Sequence, residues 1–254
     1  MGRVISIVNQ KGGVGKTTTS INLAAYLSKL GKSVLLVDLD PQSNATSGLG
    51  ISKNLASGVY EVLTGPQTFR DIAVATNHPN CHLAPSTSSL AGANVEFVNL
   101  ERREFRLYDN LLEVKNDFDY ILIDNPPSLG LLTLNGLTAA DQIMIPVQAE
   151  YFALEGLTQL VETINLIKDN LKPELDILGV VLTMYDSRNR LANDVLRELY
   201  NYFPNKIFRS VIPRSVRLSE APSHGKSILH YDPLSKGAKA YERLAREFIY
   251  LTEG

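Results

Sequence analysis

A glycine-rich stretch near the start of the chain limits its possible folds more than any other part of the sequence. Residues 10–18 read QKGGVGKTT; the apolar run Val4–Val8 precedes them, and Thr19–Leu27 follows with apolar residues at helical spacing. A strand, a glycine loop and a helix in this order are the context of a phosphate-binding loop. The glycines let several backbone N–H groups point at one anion, and the helix N-terminus adds a partial positive charge. The sequence therefore predicts a nucleotide site.

Two side chains at the end of this loop have predicted roles in that site. Lys16 is expected to reach the β- and γ-phosphates, and the hydroxyl of Thr17 is expected to bind Mg²⁺. A glycine turn with two surface lysines is the alternative, but the glycines, the Lys-Thr pair and the flanking segments all favour nucleotide binding. The other predicted nucleotide-binding residues of the loop are Lys11, Gly12, Gly13, Val14, Gly15 and Thr18.

A second lysine, Lys11, stands at the mouth of the loop. It cannot easily curl back onto phosphates that Lys16 already serves, whereas it can reach a nucleotide held by a second copy of the chain. A solvated lysine is the alternative. The stretch KGGVGKTT resembles the deviant Walker A motif of the ParA/MinD family of dimerising ATPases. That resemblance implies a homodimer formed with ATP, in which Lys11 acts across the interface and joins Lys16 as a catalytic residue.

Two further apolar runs, Val34–Asp38 and Tyr120–Asp124, each end in an acid. Carboxylates at the carboxyl ends of such strands lie beside the phosphate loop in a doubly wound sheet. We expect Asp40 to orient the attacking water and Asp38 and Asp124 to support Mg²⁺, although an aspartate after a strand is often only a helix N-cap. The segments DLDPQSNATSGLG and DNPPSLG resemble switch I and switch II of the same family. Asn125 stands where that family more usually has cysteine; the cysteine is not assigned the chemistry, and the sequence leaves the effect of Asn125 on switch coupling open.

The remaining periodicities predict the fold class. Gln142–Val147 and Leu178–Met184 read as strands, and Leu154–Asn170 reads as the helix between them. Strands separated by helical segments predict a doubly wound, mostly parallel α/β sheet with helices on both faces, and a single domain over residues 1–254. Glu101–Leu107 reads as a solvated helix with charges paired three and four residues apart. His78 and His82 lack a third ligand nearby, so a metal site there is not expected.

Bulk composition excludes several functions. The net charge is −2 over 254 residues, so any DNA contact requires a local basic patch. The single cysteine excludes an intrachain disulfide and an iron–sulfur reductase. The sequence opens without a signal peptide and contains no run of membrane-spanning length, so a cytoplasmic protein is expected.

The segment VIPRSVRLSEAPSHG, residues 211–225, resembles a block of chromosomal ParA proteins of the short, Soj-like branch. The resemblance implies that Pro213 contacts adenine, with Met184 on its other side, and that Arg188 and Arg217 contact DNA. Nearby cations that are candidates by charge alone are Arg190, Lys206, Arg209 and Arg214. It also implies a nucleoid-associated ATP switch that binds DNA non-specifically, is released by a ParB-type activator, and partitions chromosomes or plasmids.

Three other functions are alternatives for a chain with this loop. A metabolic P-loop enzyme would need a pocket for an acceptor substrate and has no use for Lys11. A MinD-like membrane switch would need a C-terminal helix that inserts into lipid, whereas Tyr241, Leu244, Ala245 and Phe248 form an apolar face with mixed charges elsewhere, which favours docking on the domain. A family member that positions a protein cargo on the nucleoid would differ only in its activator, and the sequence leaves that choice open.

Overall fold

The computed structural model describes residues 2–65, 67–150, 153–186 and 188–254, with side chains except at 94, 99, 153–155 and 190–193. The strands are β1 (Arg3–Ile7), β2 (Val34–Asp38), β3 (Val74–Ala75), β4 (Cys81–Ala84), β5 (Tyr120–Asp124), β6 (Gln142–Gln148) and β7 (Asp176–Thr183). The helices are α1 (Lys16–Lys29), α2 (Asn44–Gly48), α3 (Val59–Thr64), α4 (Phe69–Ile72), α5 (Ala93–Glu96), α6 (Arg106–Leu111), α7 (Leu131–Ala139), α8 (Ala153–Asn170), α9 (Arg190–Tyr202), α10 (Val216–Glu220), α11 (Ile228–Tyr231) and α12 (Lys236–Glu253). Short 3₁₀ turns lie at Ser88–Gly92, Phe97–Asn99 and Ala221–His224.

Within the described residues, the strands form one sheet in the order β3-β4-β2-β5-β1-β6-β7. All neighbouring pairs are parallel except β3 with β4. The chain leaves β1 towards β2 on one side and later returns to β6 on the other, so the order reverses beside β1. Ligands of doubly wound sheets bind at the carboxyl ends of the strands at such a reversal. The loop after β1 is the predicted phosphate loop.

Both faces of the sheet are covered, because successive strand residues belong to two different hydrophobic cores. In β1, Val4 packs into the core formed with α3 and with α6 to α9, while Ile5 packs into the core formed with α1 and α12. Alternation of this kind follows from the two-residue period of a strand. The predicted fold class is confirmed.

The last helix docks on the sheet as predicted. Tyr241, Leu244, Ala245 and Phe248 on α12 are all at most 1% exposed and belong to the second core. Its apolar face is therefore used within the domain. In the described part of the chain, no helix is both long enough and apolar enough to cross a bilayer.

The prediction of a helix over Glu101–Leu107 is wrong. Residues 101–105 form turns and the helix begins only at Arg106. A polar side chain of α7 forms hydrogen bonds with the backbone here. Asn135 donates to the carbonyl of Arg103 at 2.8 Å and accepts a hydrogen bond from the amide of Leu107 at 3.1 Å. The ion pairs differ accordingly, since Arg103 pairs with its neighbour Glu104 rather than one turn away. Tertiary hydrogen bonds have replaced helical ones.

Two loops meet backbone to backbone beside the site. Gly50, after α2, and Gly225, after α10 and the following 3₁₀ turn, have φ values of +76° and +63°. A Cβ on Gly225 would lie 2.7 Å from the Cα of Gly50, closer than such contacts occur. Only glycine satisfies both the positive φ and the close approach.

Candidate nucleotide-binding site

The glycine loop leaves the carboxyl end of β1 and runs directly into α1. Gly13 and Gly15 have φ values of +73° and +87°, which L side chains rarely adopt, so the loop requires glycine at both positions. Helix α1, described over its whole length, begins at Lys16 and has no acidic residue in its first turn. Its N-terminal N–H groups and positive dipole end therefore face the loop without a competing carboxylate, as anion binding requires.

Lys16 points into the molecule. Only 6% of the residue is exposed, and its ammonium donates a hydrogen bond to the carbonyl of Lys11 at 3.1 Å. Burial lowers the pKa of Lys16, and the charges of Asp124 and Asp40 oppose that shift. A buried cation whose charged form is favoured by two nearby carboxylates is suited to bind the phosphates of a nucleotide.

The loop borders a cavity of about 510 Å³. Its walls include Gly12, Gly13, Lys16, Thr17, Asp40 and Pro127. A second cavity of about 240 Å³ shares Gly15, Thr18 and Met184 with the first, so the two adjoin. A cradle of N–H groups beside a smaller cavity suits a phosphate chain and a base.

The narrower cavity is an apolar slot formed by the chain after β7. Met184 has a φ of +51°, and Tyr185 donates its amide to the carbonyl of Ile212 at 3.0 Å. Tyr185 and Pro213 form an isolated parallel bridge. These bonds bring Met184 and Pro213 to one cavity, as predicted, although Met184 lies just beyond the strand to which the sequence assigned it.

Asp38 and Asp124 lie side by side, because they are register partners at the ends of β2 and β5. Both are fully buried, and burial raises the pKa of each carboxyl group; the neighbouring Asp38 raises that of Asp124 further. The hydrogen-bond partners of the two groups differ. One oxygen of Asp38 accepts the amide and the hydroxyl of Thr46 at 2.8 and 2.7 Å, whereas Asp124 accepts the hydroxyl of Ser20 at 2.8 Å.

The second oxygen of Asp124 is buried and has no hydrogen-bond partner among the described residues. Burial is the main cause of the raised pKa of the Asp124 carboxyl group, and the nearby hydroxyl of Thr17 partly opposes that rise. A buried oxygen that lacks a partner, beside a hydroxyl and the phosphate cavity, fits Mg²⁺, which keeps several waters and takes one or two protein ligands. No cluster of three or more histidine, cysteine, aspartate or glutamate side chains that could hold a metal ion occurs in the described part of the chain.

Asp40 lies on the wall of the phosphate cavity and is 6% exposed. One of its carboxylate oxygens accepts the amide of Gln42 at 2.9 Å, and its carbonyl accepts the amide of Ser43 at 2.9 Å. The alternative of a local capping role is thus partly realised, since Asp40 organises the turn into α2. The same carboxylate faces the cavity that Lys16 enters.

Lys11 behaves differently from Lys16. Its ammonium lies 3.5 Å from the carboxylate of Glu150, its side chain is 36% exposed, and it is not part of either cavity wall. The other carboxylate oxygen of Glu150 lies 3.6 Å from Arg214. Glu150 joins the mouth of the loop to the base slot, a contact that no local sequence pattern indicates because 139 residues separate Lys11 from Glu150.

A family model described as an AAA domain matches residues 2–177. The sporulation initiation inhibitor protein Soj of Bacillus subtilis is 55% identical, covering 97% of this chain and 98% of that protein. The chromosome partitioning protein ParA of Myxococcus xanthus is 51% identical, covering 98% and 88%. The chain belongs to the Soj/ParA family of ATPases. The predicted family and the predicted ATPase activity with ATP and magnesium are confirmed at the level of this family.

A solved structure of cobyrinic acid a,c-diamide synthase from Mycobacterium smegmatis, with a bound ATP analogue and magnesium, superposes with a TM-score of 0.90. It is 37% identical, and the match covers 100% of this chain and 96% of that one. That enzyme name belongs to the neighbouring structure and is not transferred to this chain. The partitioning relatives are more similar in sequence to this chain, and they agree with the Soj/ParA assignment.

The predicted switch II segment of this Soj/ParA chain begins with a buried amide. Asn125 donates hydrogen bonds to the hydroxyl of Ser6 at 2.8 Å and to the carbonyl of Ile7 at 3.0 Å. Its carboxamide oxygen fills the space above Gly136 on α7, where a Cβ has no room. Asn125 therefore ties the start of switch II to β1 and α7.

Both arginines predicted to contact DNA in this Soj/ParA chain are exposed and already paired. The guanidinium of Arg188 makes two hydrogen bonds to Asp186, at 2.9 and 2.7 Å. Arg217 lies 3.0 Å from Glu220 and 3.6 Å from Asp232. The side chain of Arg190 lies outside the described residues.

The two histidines considered as metal ligands occupy different environments. His78 is buried and stacks on His230 with ring centroids 4.1 Å apart, while His82 lies on β4 beside Phe118. Neither belongs to a metal-binding group among the described residues.

Proposed function

We propose that the protein is an ATP-dependent dimerising switch that binds DNA without sequence preference and partitions chromosomes or plasmids with a ParB-type activator. One observation carries the proposal. The loop has two lysines with opposite placements: Lys16 is buried beside the phosphate cavity, and Lys11 lies outside it, in a long ion pair with Glu150. A lysine with no phosphate to bind in its own chain is suited to bind one in a second chain.

The nucleotide of this switch is ATP. The N–H groups of the loop and Lys16 bind its phosphates, and the apolar slot between Met184 and Pro213 takes the base. Thr17 and Asp124 would hold Mg²⁺, and Asp38, which fixes the predicted switch I through Thr46, would support its shell. When bound there, Mg²⁺ would supply positive charge to the phosphoryl group during transfer.

Hydrolysis depends on residues that act on the transition state. Asp40 orients the attacking water. It is a carboxylate on the wall of the phosphate cavity, and Lys16 is the only cation among the described residues of that wall. The partner's Lys11 then supplies a positive charge to the phosphoryl oxygens. Interactions that strengthen only in the transition state raise the turnover rate without tightening ATP binding. Each cycle therefore ends in an ADP-bound monomer.

Dimerisation also explains how ATP can control DNA binding. The chain has a net charge of −2, so one copy has little attraction for DNA. Two copies related by a two-fold axis present their cations, Arg188 and Arg217 among them, on one particle. Affinity for DNA depends on the number of phosphates contacted, because each contact releases counterions. The proposed location is the cytoplasm, on the nucleoid.

Sedimentation with DNA tests this function directly. The protein is mixed with plasmid DNA of unrelated sequences and with ATP, ADP or no nucleotide, and its oligomeric state is measured in parallel by sizing. We expect a dimer and sedimentation with every DNA only with ATP, with binding that weakens steeply as salt rises. Equal binding in ADP, or a monomer that binds DNA as well as the dimer, would exclude the proposed switch.

A further inference from the structure

Helix α12 presents a row of cations to solvent. Lys236, Lys239, Arg243 and Arg246 are all exposed. Their spacing of three, four and three residues keeps them within an arc of about 80° at 100° per residue, over about 15 Å of helix. The opposite face carries the buried residues that dock α12 on the sheet. We call these four residues the basic stripe.

Most of the basic stripe has no ionic partner. In the described part of the chain, Lys236, Lys239 and Arg243 take part in no ion pair or side-chain hydrogen bond, and Arg246 reaches Glu242 at 3.2 Å. The charge of the stripe is therefore largely uncompensated, although the chain as a whole is slightly acidic.

The acids of α12 are engaged in other contacts. Glu242 lies 3.9 Å from Lys29 as well as beside Arg246. Glu247 accepts the backbone amides of Arg209 and Ser210 at 2.6 and 2.8 Å, and Glu253 pairs with Lys32 at 2.8 Å. These bonds hold carboxylates on the flanks of the stripe and leave its centre cationic.

The contact with Glu247 also extends the stripe. It fixes the backbone of Arg209 against α12, and within the described residues the exposed guanidinium of Arg209 has no ion pair. At the other end, Arg217 reaches Asp232, four residues before the helix starts. The stripe thus runs from the neighbourhood of a predicted DNA contact along the outer surface of the domain.

We propose that the basic stripe, with Arg209, is the main surface on which the protein binds the phosphates of duplex DNA. This inference rests on the proposed DNA-binding function and relocates its principal contact. Arg188 and Arg217 must give up existing partners before they bind a phosphate, whereas within the described residues Lys236, Lys239, Arg243 and Arg209 have no ion pair to give up, and Arg246 has one with Glu242. A row of cations binds phosphates, which are the same at every base pair, so such a surface accounts for binding that is independent of DNA sequence.

The chemistry of α12 favours DNA over a lipid surface. A helix that lies in a membrane interface inserts an apolar face below its basic face. The apolar face of α12 is already buried in the second core. Exposed apolar side chains on this helix, Tyr250 and Leu251, lie beyond the last cation of the stripe.

The test compares two double variants in the full-length protein with ATP. Lys239→Gln with Arg243→Gln removes two stripe cations per chain, and Arg70→Gln with Arg102→Gln removes two exposed cations elsewhere, with the same change in net charge. We expect the stripe variant to bind DNA about tenfold more weakly or worse, and the slope of log affinity against log salt to become shallower by roughly 3 to 4, from four lost contacts per dimer. The control variant should bind within about twofold of the parent.

Dimer size, melting temperature and basal ATPase rate without DNA should be unchanged in the stripe variant, because neither residue touches the nucleotide site. If the parent binds DNA and the stripe variant binds equally well, the inference fails while the proposed function stands. If the parent does not bind DNA, the proposed function fails first. Sedimentation of the parent with vesicles of phosphatidylglycerol, lost in the stripe variant while DNA binding persists, would assign the stripe to membranes and overturn the inference.

Discussion

The inner and outer halves of the nucleotide site are built in different ways. In the inner half, Lys16, Asp38 and Asp124 are buried, and their positions follow from strand register and the start of α1. In the outer half, Lys11 and Glu150 are 36% and 47% exposed and joined by a long ion pair. The inner half is fixed by one chain. The outer half is held by contacts weak enough to exchange for those of a second chain.

The largest effect is expected at Asp40, which lies on the wall of the phosphate cavity in the inner half. Asp40→Ala should slow ATP hydrolysis by about a hundredfold or more, because loss of a group that orients water acts on the transition state. ATP affinity should change little, and the ATP-bound dimer should accumulate. Single-turnover hydrolysis together with equilibrium binding measures both quantities. A variant that turns over at the parental rate would move the water-orienting role to another residue, with Asp124 next to be tested.

Nucleotide affinity tests the inner lysine. Lys16→Ala should weaken ATP–Mg²⁺ binding by roughly a hundredfold, about 3 kcal/mol, because a buried charge-assisted contact to phosphate is lost. Lys11→Ala is the matched control and should bind ATP nearly as well as the parent in the monomer. Calorimetry on both variants decides the point. If they lose the same affinity, the two halves of the site are not distinct.

Dimerisation tests the outer half. Lys11→Ala should weaken ATP-dependent dimerisation by about tenfold or more through the missing charge. Gly12→Val should reach the same monomeric state by crowding the proposed interface: among the described residues of its own chain, a Cβ at Gly12 meets only the Pro127 side chain, at 4.0 Å, so the position has room for a Cβ in the monomer. Sizing with a slowly hydrolysed ATP analogue measures this. Normal dimers from both variants would contradict the proposed interface.

The smallest effect concerns the ion pair at the mouth of the loop. Glu150→Gln should free Lys11 and strengthen dimerisation by up to about fivefold, since an exposed pair contributes at most about 1 kcal/mol and is screened by salt. Glu162→Gln removes an exposed acid on α8 and serves as the control. The difference between the two variants should shrink at high salt. Weaker dimerisation in Glu150→Gln would mean that Glu150 helps to position Lys11 rather than to retain it.

The same division explains what could be predicted from the sequence. The strands that end in Asp38 and Asp124, and the loop before α1, were predicted because their signals are local: an apolar run, a glycine spacing and a terminal acid. The helix predicted over Glu101–Leu107 was wrong because Asn135 binds the backbone of that segment, and a contact with α7 has no local signature.

Long-range polar contacts escaped prediction for the same reason. The bond from Asn125 to Ser6 spans 119 positions, and the pair of Lys11 with Glu150 spans 139. Neither residue pair has a spacing that distinguishes it from ordinary surface or core residues. The roles of the predicted site residues stay predictions, although Lys16, Thr17 and Asp40 border one cavity and Met184 and Pro213 border the adjoining one.

The meeting of Gly50 and Gly225 bears on which mutations this fold tolerates. Gly50 ends the segment that resembles switch I and Gly225 ends the 211–225 block, but neither lines the two cavities of the nucleotide site. Here any side chain on Gly225 collides with the backbone of Gly50, and both positions require a positive φ. A random mutagenesis survey should therefore find two isolated intolerant sites in permissive loops. This contact joins the end of the predicted switch I to the segment that follows the base slot, so a substitution at either glycine is expected to disturb both segments.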